Sequence, residues 1–336
     1  MWNRKNKWLI YLPLATSLLL LLNSSPGLGS EVSLTLIYSS NTLGEVESGC
    51  CPETGNAGGL ARRAHYIKKV SKETKNRIIL DVGDTFAIGL PGSGKEKEKA
   101  RKWAEFILKI YEKVGYDAIN IGDTDLVLGV HYLTALSKKS KIPFLSANLR
   151  EKKTGQPVFE PYRIKQVNGL KIGIIGLLTP HLPPYLHKEM TGYIVEDPIK
   201  IALKMTNGPM SHCDHIIALA HLNMMEVEEL AQKVPRIPII IGGNDRSFIF
   251  PKQIHSSLWA QTDAFGLHIG RMNLGLKKEA KEFVDTLPEK SSRFSDTGGV
   301  NTYKNHLIFL HPGMESDPEI EKLISSSRDL LKRPLP

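Results

Sequence analysis

Several short apolar runs in this chain end in residues that bind metals. Leu34–Tyr38 runs into Ser39-Ser40-Asn41, and Ile78–Val82 into Gly83-Asp84. Ala118–Ile121 runs into Gly122-Asp123, and Ile216–Ala220 into His221. Ile237–Ile241 runs into Gly242-Gly243-Asn244-Asp245-Arg246. Asp, His and Asn supply the oxygen and nitrogen donors that Mg, Mn, Fe or Zn accept. The glycines let backbone pass close to such a site. Asp and Asn also cap strands and open turns, so no single position argues for a metal. Their joint placement at successive strand ends does.

Other residues invite chemistry less strongly. Cys50-Cys51-Pro52 places two candidate thiols side by side, and a ring closed between neighbours is strained. Cys213 makes the cysteine count odd, so pairing with Cys213 or with another chain stays open. Gly89-Leu90-Pro91-Gly92-Ser93-Gly94-Lys95 matches much of a phosphate-cradling loop, but Glu96 stands where the magnesium-binding hydroxyl belongs. That stretch reads as a loop before a helix. His212-Cys213-Asp214-His215 directly precedes an apolar strand, where neighbours alternate sides, and reads as a turn. Arg62-Arg63 opens a helix and reads as solvated surface, as do the isolated His181, His187 and His255.

The elements that must position the strand-end residues follow from periodicity. The near-continuous apolar runs, with Phe144–Ala147 and Lys171–Leu177, are strands buried on both faces. Lys95–Val114 keeps Trp103, Phe106, Ile107, Ile110 and Val114 on one face and predicts a helix. Helices are also expected at Leu60–Ser71 and over 130–138, 197–206 and 224–233. Strands follow at Leu258–Gln261, Leu267–Leu276 and His306–Leu310, and a last helix over 317–331. In such an α/β sheet, ligands gather at the carboxyl ends of the strands.

The 336 residues, 41% hydrophobic and 24% charged, exclude a disordered or collagenous chain. Three of the net nine positive charges, Arg4, Lys5 and Lys7, precede an uncharged run from Trp8 to Leu22. Small residues then close the segment at Ser30. This is the pattern of a signal peptide or N-terminal anchor over 1–30, and it predicts an exported, periplasmic protein that meets a membrane only through that segment. The remaining charge is scattered, as in Lys95-Glu96-Lys97-Glu98-Lys99, and does not point to nucleic acid. Nothing in the sequence points to a protein partner.

Ordered motifs carry a resemblance. Gly58-Gly59-Leu60-Ala61-Arg62-Arg63, Leu80-Asp81-Val82-Gly83-Asp84-Thr85-Phe86, Pro143-Phe144-Leu145-Ser146-Ala147-Asn148-Leu149, Ala218-Leu219-Ala220-His221 and Ile240-Ile241-Gly242-Gly243 occur in sequence. Over about 32–275 the chain resembles the catalytic N-terminal domain of bacterial 5'-nucleotidases, in the calcineurin-like metallophosphoesterase superfamily. The resemblance implies a four-layer α/β/β/α sandwich, one domain over 31–336, with a two-metal site at the strand ends. Such a site activates water and clamps phosphoryl oxygens. The roughly 60 residues after Leu276 are too few for the nucleoside-binding C-terminal domain of that family.

The departures from the family pattern fall on the site. The family's Asp-x-His after the first strand is Asn41 and Leu43 here. Its Gly-Asn-His-Glu is Gly122-Asp123-Thr124-Asp125, and its Gly-Gly-His-x-His ends in Asn244 and Arg246. Leu43 and Arg246 offer no lone pair, so the first metal position, with Asn41, is degenerate. Asp84, Asp123, His221 and Asn244 could still hold one divalent metal: Mn, Fe, Zn or Mg. Thr124 replaces the family's catalytic histidine, and the catalytic residue is left unassigned. The expectation is a site with at most one metal, acting on a small phosphate ester with diverged or lost hydrolysis. The alternative is a thiol-redox or sulfur-compound-handling protein that uses Cys50 and Cys51 on the same scaffold.

Overall fold

The computed structural model describes residues 31–49, 55–86, 93–286 and 300–327. Its central strand is β1 (Val32–Ser39), buried at every position but Ser33. Three strands run parallel beyond it: β2 (Arg77–Asp81), β3 (Ala118–Asn120) and β4 (Phe144–Leu145). A two-stranded ribbon pairs β5 (Leu149–Glu151) with β8 (Tyr193–Val195). The second sheet is built from β6 (Tyr162–Val167), β7 (Leu170–Leu178), β9 (His215–His221), β10 (Ile239–Gly242), β11 (Ile249–Ile254) and β12 (Ser257–Gln261). The first sheet is completed by β13 (His268–Leu276), β14 (Phe283–Asp285) and β15 (Asn301–Phe309).

Strand alternation sorts the side chains into layers. Leu34, Leu36, Ile78, Leu80, Met272 and Leu274 of the first sheet meet Ile172, Ile174, Ile217, Leu219, Ile239 and Ile241 of the second. The next residue along each strand faces out. Ile37, Ile79, Ile119 and Ile269 pack under α1 (Leu60–Glu73), α2 (Lys95–Val114), α3 (Val130–Lys139) and α6 (Pro318–Ser326). Ile175, Leu177, Ala218, Ala220 and Ile240 pack under α4 (Pro198–Asn207) and α5 (Met224–Lys233). This is the α/β/β/α sandwich expected. Both sheets are covered on both faces, which is why their strands read as unbroken apolar runs.

The differences from expectation have simple causes. The strands β5, β6, β8, β11 and β14 were not anticipated. Three are only 3 residues long. β6 and β11 are edge strands in which exposed polar residues interrupt the apolar ones. β15 begins at Asn301, before the apolar stretch that signalled it. Helix α6 runs over Pro318–Ser326 and is capped at Ser327, short of the expected end at 331; residues 328–331 lie outside the described residues. No helix among those residues is long and apolar enough to cross a membrane. The N-terminal segment 1–30 also lies outside them.

Candidate metal centre

Strands β1, β2, β3, β9 and β10 point their carboxyl ends to one edge, because β2 pairs parallel with β1 and β3, and β10 with β9. The loops that leave them interlock. The N–H of Asn41 donates to the Gly83 carbonyl at 3.0 Å, and that of Leu43 to the Asp84 carbonyl at 2.7 Å. Asn41, Leu43 and Asp84 all take left-handed backbone, with φ of 50°, 53° and 54°. Such strain in non-glycine residues persists only where surrounding contacts over-determine it.

Asp125 supplies those contacts. Its carboxylate accepts the backbone N–H groups of Asp84, Thr85, Phe86 and Gly122 at 2.9–3.0 Å. The two strand-end loops are thereby tied together. A methyl group on Gly122 would overlap the Asp84 carboxylate, so this close approach requires glycine.

Asp84, Asp123 and His221 converge at this edge. The Nε2 of His221 lies 3.0 Å from Oδ1 of Asp123 and 3.4 Å from Oδ1 of Asp84. One ligand atom from each residue lies within 4.8 Å of the others. Asp84 also accepts the Thr124 backbone N–H at 2.9 Å. His221 is fully buried, and its Nδ1 has no hydrogen-bond partner.

The electrostatics fit a charge-bearing site. Burial raises the Asp84 carboxyl to about 6, with His221 opposing and Asp123 adding to the shift. Burial works against the His221 imidazolium, but Asp84 and Asp123 outweigh it and raise its pKa to about 9. Burial also opposes ionisation of Asp123, yet the bond and charge of His221 hold its carboxyl below the ordinary value. Burial and the charge of Asp84 push Asp125 up to about 7 despite its backbone donors. At neutral pH a shared proton on His221 thus occupies the space between two carboxylates. Two carboxylate oxygens and one imidazole are a donor set that a borderline divalent ion accepts.

The other expected residues divide. Asn244 is half-buried and follows Gly243, which backs onto the His221 ring. Asn41 is buried; its Nδ2 donates to the Asp245 carbonyl at 3.4 Å and its Oδ1 has no partner. Leu43 is fully buried in the protein core. Arg246 is exposed, and the Asp84 carboxylate faces His221. Thr124 is buried, and its backbone N–H holds the Asp84 carboxylate. Cys50, Cys51 and the residues Gly89–Gly92 lie outside the described residues.

His212, Cys213, Asp214 and His215 sit at the opposite end of β9, as a turn into the strand. Cys213 is a buried free thiol there, and His215 bonds the Lys277 carbonyl at 3.0 Å. His181, His187 and His255 are exposed.

One surface expectation was wrong. Arg63 is 1% exposed and donates to Thr42 Oγ1 and to the Tyr111 hydroxyl, each at 2.9 Å. Tyr111 donates onward to Asp81 at 3.0 Å, and Asp81 also receives Ser39 at 2.6 Å. The buried guanidinium is thus the counter-charge of Asp81, below the strand-end loops. Its neighbour Arg62 bonds the Gly58 carbonyl at 2.9 Å. Helical periodicity could have separated the two, since Arg63 shares the face of Leu60, Ala64 and Ile67. Asp125 was also missed as a functional residue, and no spacing signal distinguishes a backbone-binding carboxylate from a surface one.

No family model matches the chain. It is 27% identical over 330 residues to the snake venom 5'-nucleotidase of Naja atra, covering 87% of this chain and 56% of that protein. The snake venom 5'-nucleotidase of Gloydius brevicauda is 29% identical over 335 residues, covering 88% of this chain and 51% of that protein. The chain therefore spans about half the length of the curated relatives it matches. Among solved structures, the calcineurin-like phosphoesterase YfkN from Bacillus subtilis superposes with a TM-score of 0.71 at 20% identity, covering 90% of this chain and 98% of that one. The chain resembles 5'-nucleotidases in sequence and shares the fold of calcineurin-like phosphoesterases.

Proposed function

We propose that the chain is an exported, 5'-nucleotidase-like metallophosphoesterase-type protein that holds a single divalent metal and binds small phosphate esters with little or no turnover. The observation that carries this reading is the convergence of Asp84, Asp123 and His221 at one edge, while Leu43 is sequestered in the core and Arg246 is exposed. Asp84, Asp123 and His221 would hold the metal, with Asn244 as a fourth donor. Bound there, a divalent ion supplies Lewis-acid polarisation of a phosphoryl oxygen.

The chain's own residues do the rest. Asp125 fixes the backbone of Asp84 and Gly122, so the carboxylate needs no reorganisation on binding. Arg246 presents a permanent cation at the solvent side of the same edge and attracts the ester's anionic group. Thr124 cannot protonate a leaving group near neutral pH, and general acid assistance is worth roughly 10²–10⁴ in rate. Export places the protein in the periplasm, free or tethered by the segment 1–30.

The test titrates inorganic phosphate into Mn²⁺-loaded and metal-free protein and, in a separate assay, follows turnover of benzyl phosphate, whose alkoxide leaving group needs an acid. The reading predicts metal-dependent phosphate binding. It also predicts a kcat of about 10⁻¹–10⁻³ s⁻¹ or below, from a typical enzyme value of about 10 s⁻¹ reduced by the missing acid. Turnover near 10 s⁻¹, or phosphate binding indifferent to metal, contradicts it.

A further inference from the structure

Seven large apolar side chains are exposed among the described residues. Six of them, Tyr185, Met224, Met225, Phe248, Phe250 and Phe309, lie at or just beyond strand ends on the edge that carries the Asp84–Asp123–His221 triad. Tyr185 follows β7, the two methionines follow β9, and Phe248 and Phe250 follow β10. Phe309 ends β15, which runs parallel to β1 because each is antiparallel to β13. The seventh, Ile194, lies on the separate ribbon strand β8. Scattered exposed apolar residues are ordinary, whereas a patch gathered at a polar centre marks a binding surface.

The three phenylalanines are linked. Phe248 and Phe250 meet edge to face with centroids 5.5 Å apart and planes at 79°. The His268 ring joins Phe248 at 6.0 Å to Phe309 at 5.1 Å. His268 is held by Asp263 at 2.8 Å, which fixes its ring.

One segment links these rings to the charged centre. Asn244, Arg246, Phe248 and Phe250 alternate along the chain from β10 into β11. Their backbone spans at most about 20 Å. Gln261 pins the segment at the Asp245 and Ser247 carbonyls, and Met224 donates its backbone N–H to Asp245 Oδ2 at 3.0 Å. The cation and the rings are therefore placed as one unit beside the triad.

We infer that this rim is the subsite for an apolar ring, so that the ester bound here is an aryl phosphate. Its anionic group lies at the triad and Arg246, and its ring lies against Phe248, Phe250 and Phe309. The inference rests on the reading of the triad as a phosphate-ester site. Thioethers and phenyl rings select for apolar surface and ring geometry.

The experiment measures the affinity of Mn²⁺-loaded protein for 1-naphthyl phosphate and for methyl phosphate, in the wild type, Phe248→Ala, Phe250→Ala and Ile194→Ala. The expected result is a preference for the naphthyl ester of about tenfold or more, since each ring pair contributes on that scale. The ratio should fall toward unity in both phenylalanine variants and stay at its wild-type value in Ile194→Ala. Equal affinities in the wild type overturn the inference while leaving the phosphate site standing. So does a ratio that survives both substitutions, or a phenylalanine-dependent dimer with no ester preference. Failure of both esters to bind overturns this inference and the site reading together.

Discussion

The carboxylate of Asp125 accepts the backbone N–H of Asp84 at 3.0 Å, so the residue that faces His221 is held by the second acidic residue of the neighbouring loop. Three further N–H groups share that carboxylate. Asp125→Ala leaves all of them buried without an acceptor. At about 1–3 kcal/mol for an unsatisfied buried group, the loss of stability is expected to reach at least about 3 kcal/mol. Asp125→Asn retains one acceptor oxygen and should cost less. Urea unfolding of the two variants checks the order; equal midpoints would remove Asp125 from its organising role.

Metal binding should strengthen as pH rises. In the metal-free protein His221 stays protonated up to about 9, held by Asp84 and Asp123 against its burial. A metal must displace that proton, so affinity should rise up to about tenfold per pH unit between pH 7 and 8.5. The stability of the metal-free protein should move the other way. A histidine whose pKa is raised on folding contributes stability that is complete below its unfolded value near 6.5 and is lost as pH rises through about 9. Mn²⁺ titrations and thermal melts across this window read both trends, and a pH-independent affinity would contradict the shared proton.

Arg63→Ala should be among the most destabilising substitutions in the chain. It strands Asp81 as a buried charge without its counter-ion and opens the network through Thr42 and Tyr111. Removing one charge from such a buried network costs on the scale of a broken buried ion pair, about 3–5 kcal/mol. Arg62→Ala, one residue away, loses only bonds to loop carbonyls and should cost below about 1.5 kcal/mol. Denaturation midpoints compare the two directly.

Gly122→Ala tests the close approach of the loops. The added methyl overlaps both the Asp84 carboxylate and the Asp84 backbone nitrogen, so the loop that carries this carboxylate must shift. Overpacking costs about 1–3 kcal/mol, and displacing a ligand in this way should weaken metal affinity by about 10–100-fold. Calorimetric titration of Mn²⁺ into a variant that retains its fold gives the answer.

Much of this architecture is legible in the residues. Leu36, Ile79, Ile174 and Leu219 sit in runs apolar on both faces, and such runs by themselves imply sheets covered on both sides. The residues just beyond them, Asp84, Asp123 and His221, assemble because parallel strands end at one edge. What stays hidden depends on direction rather than type. Arg246 follows a strand end like its neighbours, but its side chain lies on the exposed side of the loop. Arg63 is charged yet buried because Tyr111, Thr42 and Asp81 come from three other segments to meet it. Edge strands such as β6 mix polar and apolar residues, so their pattern resembles that of a loop.

The most direct test is the metal stoichiometry of residues 31–336 by native mass spectrometry after loading with Mn²⁺, Fe²⁺ or Zn²⁺, beside Asp84→Ala and His221→Ala. The account predicts one ion per chain in the wild type and none in either variant. Two ions per chain, or an ion retained in both variants, would contradict it.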